Sequence, residues 1–176
     1  MAMLTNLLIT VGPGGDQAVD VLFGEDLTMN GQGDTDTSAW LECSAFEVAL
    51  QTGVQGTHGS SQSTGHRIWS PAKFRLRVGK STPTLFEAAR MNHKINLTLH
   101  FFHRHHETGA IEQNFQYRIQ QGRITKISLV QPNTLHPETA SLHDYVELEV
   151  VPNVAEVESM TGGTLSVDDW SALGAS

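Results

Sequence analysis

The sequence has little of what would settle its chemistry directly. It holds one cysteine, Cys43, so an internal disulfide framework is excluded. Long hydrophobic runs are missing as well. The best candidate, Met3 to Val11, is too short to cross a bilayer, and no basic residue precedes it. It ends in Gly12-Pro13-Gly14-Gly15, so it reads as a first strand and a turn, with no secretory signal and no membrane insertion expected. Asn96-Leu97-Thr98 matches a glycosylation sequon, a chance match on a chain read without a signal.

Positive charge is missing from both ends. Residues 1–65 carry eight acids and no Lys or Arg; residues 127–176 carry eight more acids and again no base. All eleven Lys and Arg lie in 66–126, against three acids. A net charge of −8 argues against a nucleic-acid partner, because binding phosphates requires a basic surface. Two explanations of the acidic–basic–acidic order stay open. The segments interleave and neutralise one another within one fold, or opposite patches meet between identical subunits arranged head to tail.

Catalytic signatures are absent too. There is no nucleophile elbow, phosphate loop or zinc spacing. Gly12-Pro13-Gly14-Gly15 is glycine-rich, but proline removes an amide that a phosphate needs, and no helix follows. Asn30 to Asp36 lacks the calcium-loop spacing and reads as a solvated turn. Cys43 sits among small apolar residues and reads as a buried structural thiol. The one cluster of ligand-type residues is His100, His103, His105 and His106 with Glu107 and Glu112. A barrel metal site of this kind needs His-x-His and then Glu three or four residues on; Glu107 comes too soon, Glu112 too late, and Arg104 puts a cation between two ligands. The stretch reads as a polar hairpin turn, with a metal at His103, His105 and His106 as the weak alternative. No cofactor and no enzymatic activity are expected.

What is present is β pattern. Trp40 to Gln51 reads as a long strand whose alternation breaks at Glu42 and Glu47, which predicts a bulge or a strand end. Thr52 to Gly65, T-G-V-Q-G-T-H-G-S-S-Q-S-T-G, has almost no large apolar residue and so projects from the core or is disordered. From Lys73 the alternation is clean: Phe74, Leu76 and Val78 point inward, and Lys73, Arg75 and Arg77 form a row of cations. Val146, Leu148 and Val150, with Tyr145, Glu147 and Glu149 opposite, form a matching acidic strand. Lys94 to Phe102 is a further strand, and Gln113 to Gln120 is expected to turn at Gln121-Gly122 into another. Only Gly79 to Asn92 reads as helix, with Thr82 as N-cap, Pro83 at the first position and a stripe of Leu85, Ala88 and Ala89. Many short strands and one helix predict a mainly-β domain, an antiparallel barrel of two packed sheets with a flanking helix.

With these residues in place, the chain resembles the haemolysin-coregulated protein (Hcp) family, the inner-tube proteins of type VI secretion. The most specific stretch is G79-K-S-T-P-T-L-F-E-A-A, after the strand R67-I-W-S-P-A-K-F-R-L-R. F115-Q-Y-R-I-Q-Q-G-R-I-T-K-I, W40-L-E-C-S-A-F-E-V-A-L and G162-G-T-L-S-V-D-D-W170 continue the likeness over nearly the whole chain. The strand Y145-V-E-L-E-V-V-P and the segment G14-G-D-Q depart from the family pattern.

The resemblance implies one Hcp-like barrel over 1–176, with an extended loop at about 52–65 and a C-terminal element at about 153–176. It further implies homohexameric rings stacked into a tube that a contracting sheath expels, with effectors in the lumen. Sheath, spike and baseplate proteins are then partners. The protein is expected to be cytoplasmic and then secreted through the apparatus without a cleaved signal peptide. Gly53, Val54, Gln55, Gly56, His58 and Ser60 are the candidate ring-stacking residues, and Lys73, Arg75, Arg77, Glu147 and Glu149 the candidate subunit contacts. Other readings are a tail-tube protein of a phage-like contractile particle, a small His-dependent metalloprotein barrel, and a monomeric carbohydrate- or peptide-binding sandwich.

Overall fold

The structure, a computed structural model, describes residues 4–12, 41–57, 60–79, 81–104, 109–133, 135 and 143–169. It holds ten strands and one helix: β1 (Leu4–Gly12), β2 (Leu41–Glu47), β3 (Leu50–Thr57), β4 (Ser60–Trp69), β5 (Ala72–Arg77), α1 (Thr82–Arg90), β6 (Lys94–Arg104), β7 (Ile111–Val130), β8 (Tyr145–Val151), β9 (Val154–Ser159) and β10 (Thr164–Asp169). Eight of the strands form one sheet in the order β10-β9-β7-β6-β1-β2-β5-β8, and a further β7–β8 pairing joins its end back to its middle. The result is the expected antiparallel barrel. Its two walls, however, are one continuous curled sheet, not separate packed sheets. Among the described residues, β3 and β4 pair only with each other.

Strand β7 makes the closure possible. Its first half pairs with β9, from Phe115↔Ser159 to Gln120↔Val154. Its second half pairs with β8, from Arg123↔Val151 to Val130↔Tyr145. The change of partner falls at Gln121-Gly122, where the sequence reading places a turn between two strands. The structure runs one twenty-residue strand straight through that point. Gln121, not the glycine, takes the positive φ of 51°. The pairing with β6 shifts register here, so the extra residue is a bulge that bends the strand. The Asn96 side chain accepts the Gln121 N–H at 2.8 Å, and Lys94 Nζ donates to Gln121 Oε1 at 3.2 Å. These bonds replace ladder contacts that the bulge disrupts.

Burial follows the alternation. Ala72, Phe74 and Leu76 of β5, Ile95, Leu97 and Leu99 of β6, and Val146, Leu148 and Val150 of β8 are buried in one core. Each large aliphatic side chain among them contributes roughly 1.5–3 kcal/mol relative to exposure. In β2 the pairing with β5 shifts between Cys43 and Ala45, and the strand ends at Glu47. The broken alternation therefore means both a bulge and a strand end. Leu41 and Cys43 point inward before the shift and Phe46 after it. Phe46 then lies 5.2 Å from Phe74, 5.8 Å from Phe101 and 5.0 Å from Tyr117, ring centre to ring centre, uniting three strands.

The helix begins where it was read, but its cap differs. Ser81 is the N-cap, and it makes no side-chain capping bond because its backbone is already helical (φ −72°, ψ −22°). A hydroxyl reaches the first-turn amides from extended backbone, which Ser81 lacks. Thr82 is the first helical residue and is buried; its hydroxyl accepts the Gly79 N–H at 3.1 Å, outside the helix. Pro83 follows in the first turn. Leu85 and Ala88 are buried in the barrel core, whereas Phe86 is exposed. At the other end Asn92 (φ 51°) donates to Ala89 O and His93 donates to Ala88 O, a left-handed cap that closes the last carbonyls. Arg123 Nη1 donates to Asn92 O at 2.8 Å, which ties that end of the helix to β7.

Candidate functional site

The basic and acidic rows lie side by side on one wall. β5 and β8 pair so that Lys73 faces Glu149, Arg75 faces Glu147 and Arg77 faces Tyr145. Arg75 Nη2 reaches Glu147 Oε1 at 3.1 Å, and its guanidinium lies 4.3 Å from the centre of the Tyr145 ring. Lys73 and Arg77 turn to the other neighbour, β2, at 3.7 Å from Glu47 and 3.7 Å from Glu42. Lys126 of β7 reaches Glu149 at 3.4 Å. All are solvent-exposed pairs, each worth roughly 0–1 kcal/mol. Of the two explanations for the segregated charge, neutralisation within one chain accounts for these residues.

In the 52–65 stretch, residues 52–57 and 60–65 are strand. β3 and β4 form an antiparallel hairpin in which Val54 pairs with Ser63, Gln55 with Gln62, Gly56 with Ser61 and Thr57 with Ser60. Gly53 lies at the register shift between Thr52 and Val54. The other candidate stacking residues therefore lie together on one hairpin, and His58 lies outside the described residues. The sequence reading expected either projection or disorder here. Pairing of polar strands is the physical answer, because backbone hydrogen bonds need no apolar side chains.

A contact that sequence reasoning missed holds the hairpin's base. Trp69 Nε1 donates to Asp168 Oδ2 at 2.8 Å, linking the last residue of β4 to β10. Asp168 is buried and Trp69 packs against the core. The two residues stand in stretches that each resemble the family, but 99 positions separate them and no local pattern joins them. The C-terminal element at 153–169 is a second hairpin, with Leu165↔Glu158 and Val167↔Glu156 among its pairs.

Of the histidine cluster, His100 and His103 stand on β6. His103 pairs with Glu112 across β6–β7, and His105 and His106 lie outside the described residues. Among the described residues, no group of three His, Cys, Asp or Glu side chains is placed to hold a metal. His100 instead joins an amide network. With its oxygen toward the Arg118 guanidinium, Gln116 donates to His100 Nε2 at 2.9 Å. Burial holds the His100 imidazole below its ordinary range, and the Arg118 charge adds to it.

Cys43 is buried, and burial pushes its thiol up to about 12; its S–H donates to Ala45 O at 3.2 Å. Thiol reagents at pH 8 are therefore expected to label Cys43 only through unfolding, because the thiolate is the nucleophile. The folded value lies above the ordinary 9.0. The associated stability is thus fully present below pH 9 and is lost as pH rises towards about 12. Labelling of native protein at the rate of the unfolded chain would contradict the burial. Melting curves of Cys43→Ala across pH 8–11 should fall less steeply than those of the parent.

Among the described residues, no helix is long and apolar enough to cross a membrane. No curated protein matches the chain in sequence. Solved structures match its fold over nearly its whole length. A crystal structure of an Hcp protein aligns with TM-score 0.79 at 19% identity, covering 96% of this chain and 98% of that one. Hcp1 of E. coli EAEC 042, a mutant form, aligns with TM-score 0.75 at 17% identity over 96% and 99%. The secreted protein Hcp3 of Pseudomonas aeruginosa aligns with TM-score 0.67 at 13% identity over 96% and 99%. At such identities these likenesses establish a shared fold and nothing more. The family assignment rests on sequence: the pattern described as "Type VI secretion system effector, Hcp" matches residues 29–151, a span that includes the β3–β4 hairpin, the charged wall and the Thr82-Pro83 helix start. The chain belongs to the Hcp family of the type VI secretion system.

Proposed function

We propose that the chain is the tube-forming subunit of a type VI secretion system. Six copies form a ring, and rings stack into the inner tube that a contracting sheath drives out of the cell with effectors in its lumen. The observation that carries this reading, beyond family membership, is the β3–β4 hairpin. It belongs to a different sheet from the barrel, and its sequence offers little for a core. Isolated two-stranded hairpins are marginal in water, so this one is expected to gain stability from a neighbour. Gly53, Val54, Gln55, Gly56, His58 and Ser60 are then the ring-stacking residues.

Lys73, Arg75, Arg77, Glu147 and Glu149 offer a second contact surface. Their charges are balanced within the chain, so they would select a partner's orientation more than supply net attraction. Sheath, spike, baseplate and effector proteins are the further partners. The protein is made in the cytoplasm and leaves through the apparatus itself. Native mass spectrometry with negative-stain images tests the reading. The expected result is a species six times the 19.2 kDa chain and rings seen end-on. A monomer at every concentration, with no rings, would overturn it.

A further inference from the structure

A closed barrel has no sheet edges, yet this sheet keeps one. Among the described residues, β10 pairs with β9 alone and lies at the end of the strand order. The stretch Thr164 to Val167 has no Lys, no Pro and no bulge; the charges of the strand, Asp168 and Asp169, follow it. Leu165 and Val167 are 60% and 51% exposed on it, and Met160 at the hairpin turn is 47% exposed. An open strand with outward apolar side chains is a template for another strand.

The same chain carries strands that pair with no sheet but each other. β3 and β4, at about 3.3 Å per residue, extend roughly 25 Å. The hairpin meets β10 at its base, where Trp69 is bonded to Asp168 near the strand's end. Among the described residues it makes no ladder with β10. The two stretches differ in charge and do not repel. Residues 154–169 carry four carboxylates and no Lys or Arg, whereas residues 50–69 carry no carboxylate and one arginine.

We propose that the open edge of β10, at Leu165 to Val167, receives the β3–β4 hairpin of a second copy of the chain, extending that copy's two-stranded sheet into the barrel sheet. This rests on the tube-subunit reading and names its contact. Donor and acceptor are different surfaces of one chain, so each copy gives a hairpin and receives one. Such a head-to-tail contact propagates into rings or stacks, whereas a self-complementary patch stops at a dimer. The backbone bonds of the added strand supply the affinity, and Leu165 and Val167 supply the buried apolar surface.

Hydrogen exchange compares the assembled parent with a chain lacking residues 54–63. The β10 amides at 164–167 are expected to exchange at least ten times faster in the deletion, with β5 and β8 unchanged. A chain carrying Ser166→Cys is also mixed with one carrying Gln55→Cys or Gln62→Cys and treated with a short bis-maleimide, Cys43 being buried. A dimer band only in the mixtures supports the contact. Equal exchange of β10 in both proteins, with the parent assembled by native mass, overturns this proposal and leaves the tube reading standing. A parent that never assembles removes that reading, and this contact with it.

Discussion

Gly122→Ala is expected to lower stability by roughly 2–3 kcal/mol, the upper part of the range for overfilling a packed site. For a domain of this size that is a fall in Tm of roughly 5–10 °C. A Cβ at position 122 would lie 2.7 Å from Ile119 Cγ2, 2.8 Å from Val150 Cγ1 and 3.2 Å from the Val151 carbonyl oxygen. Ile119 and Val150 are fully buried, and both are β-branched, so neither methyl can swing aside without disturbing the core. The glycine is there for close approach and not for a positive φ, which its neighbour Gln121 adopts. At this point β7 leaves β9 and takes up β8. A bulkier residue would therefore push apart the pairing that closes the barrel. Thermal melts followed by circular dichroism check this. A Tm within 1 °C of the parent would mean that the strand shifts freely, and that Gly122 does not set the bend.

That site also marks where the sequence stopped being legible. Gln121-Gly122 between two alternating runs has the composition of a turn, and local pattern cannot tell a turn from a bulge in a continuous strand. The difference is decided by β8 and β9, which come later in the chain and compete for the two halves of β7. Where one face of a strand is wholly buried, the alternation was enough. Phe74-Leu76, Ile95-Leu97-Leu99 and Val146-Leu148-Val150 were all readable as inward-facing sets. The opposed charges of β5 and β8 were visible too, but not whether they met within one chain. The answer needed the register, Lys73↔Glu149 and Arg75↔Glu147, which side-chain periodicity alone does not give. At the helix, Thr82-Pro83 announced the start, but Ser81 took the cap position because the chain enters the helix already curled. The Trp69–Asp168 bond was out of reach for another reason: a single long-range hydrogen bond leaves no periodic trace.

Deletion of residues 54–63 is expected to abolish tubes while leaving the fold intact. Every described residue of the hydrophobic core lies outside the deleted segment, and Trp69, which packs against that core, is retained. The remaining base keeps the pairs Leu50↔Trp69, Gln51↔Ile68 and Thr52↔Arg67. The join brings Gly53 next to Thr64-Gly65, a sequence suited to a tight turn, and a shorter loop costs less entropy to close. Stability should therefore change by less than about 1 kcal/mol, as for surface alterations that leave packing untouched. Assembly responds differently because it is repeated. A contact made by every subunit is lost at every interface between rings, so even a few kcal/mol per copy separates a tube from single rings. The expected result is a parent-like circular dichroism spectrum and Tm, and no tubes in negative stain. Intact tubes from the shortened chain would show that the hairpin is not the stacking element. An unfolded product would show that the hairpin stabilises its own barrel, and that the Trp69 bond to Asp168 depends on the strands beyond it.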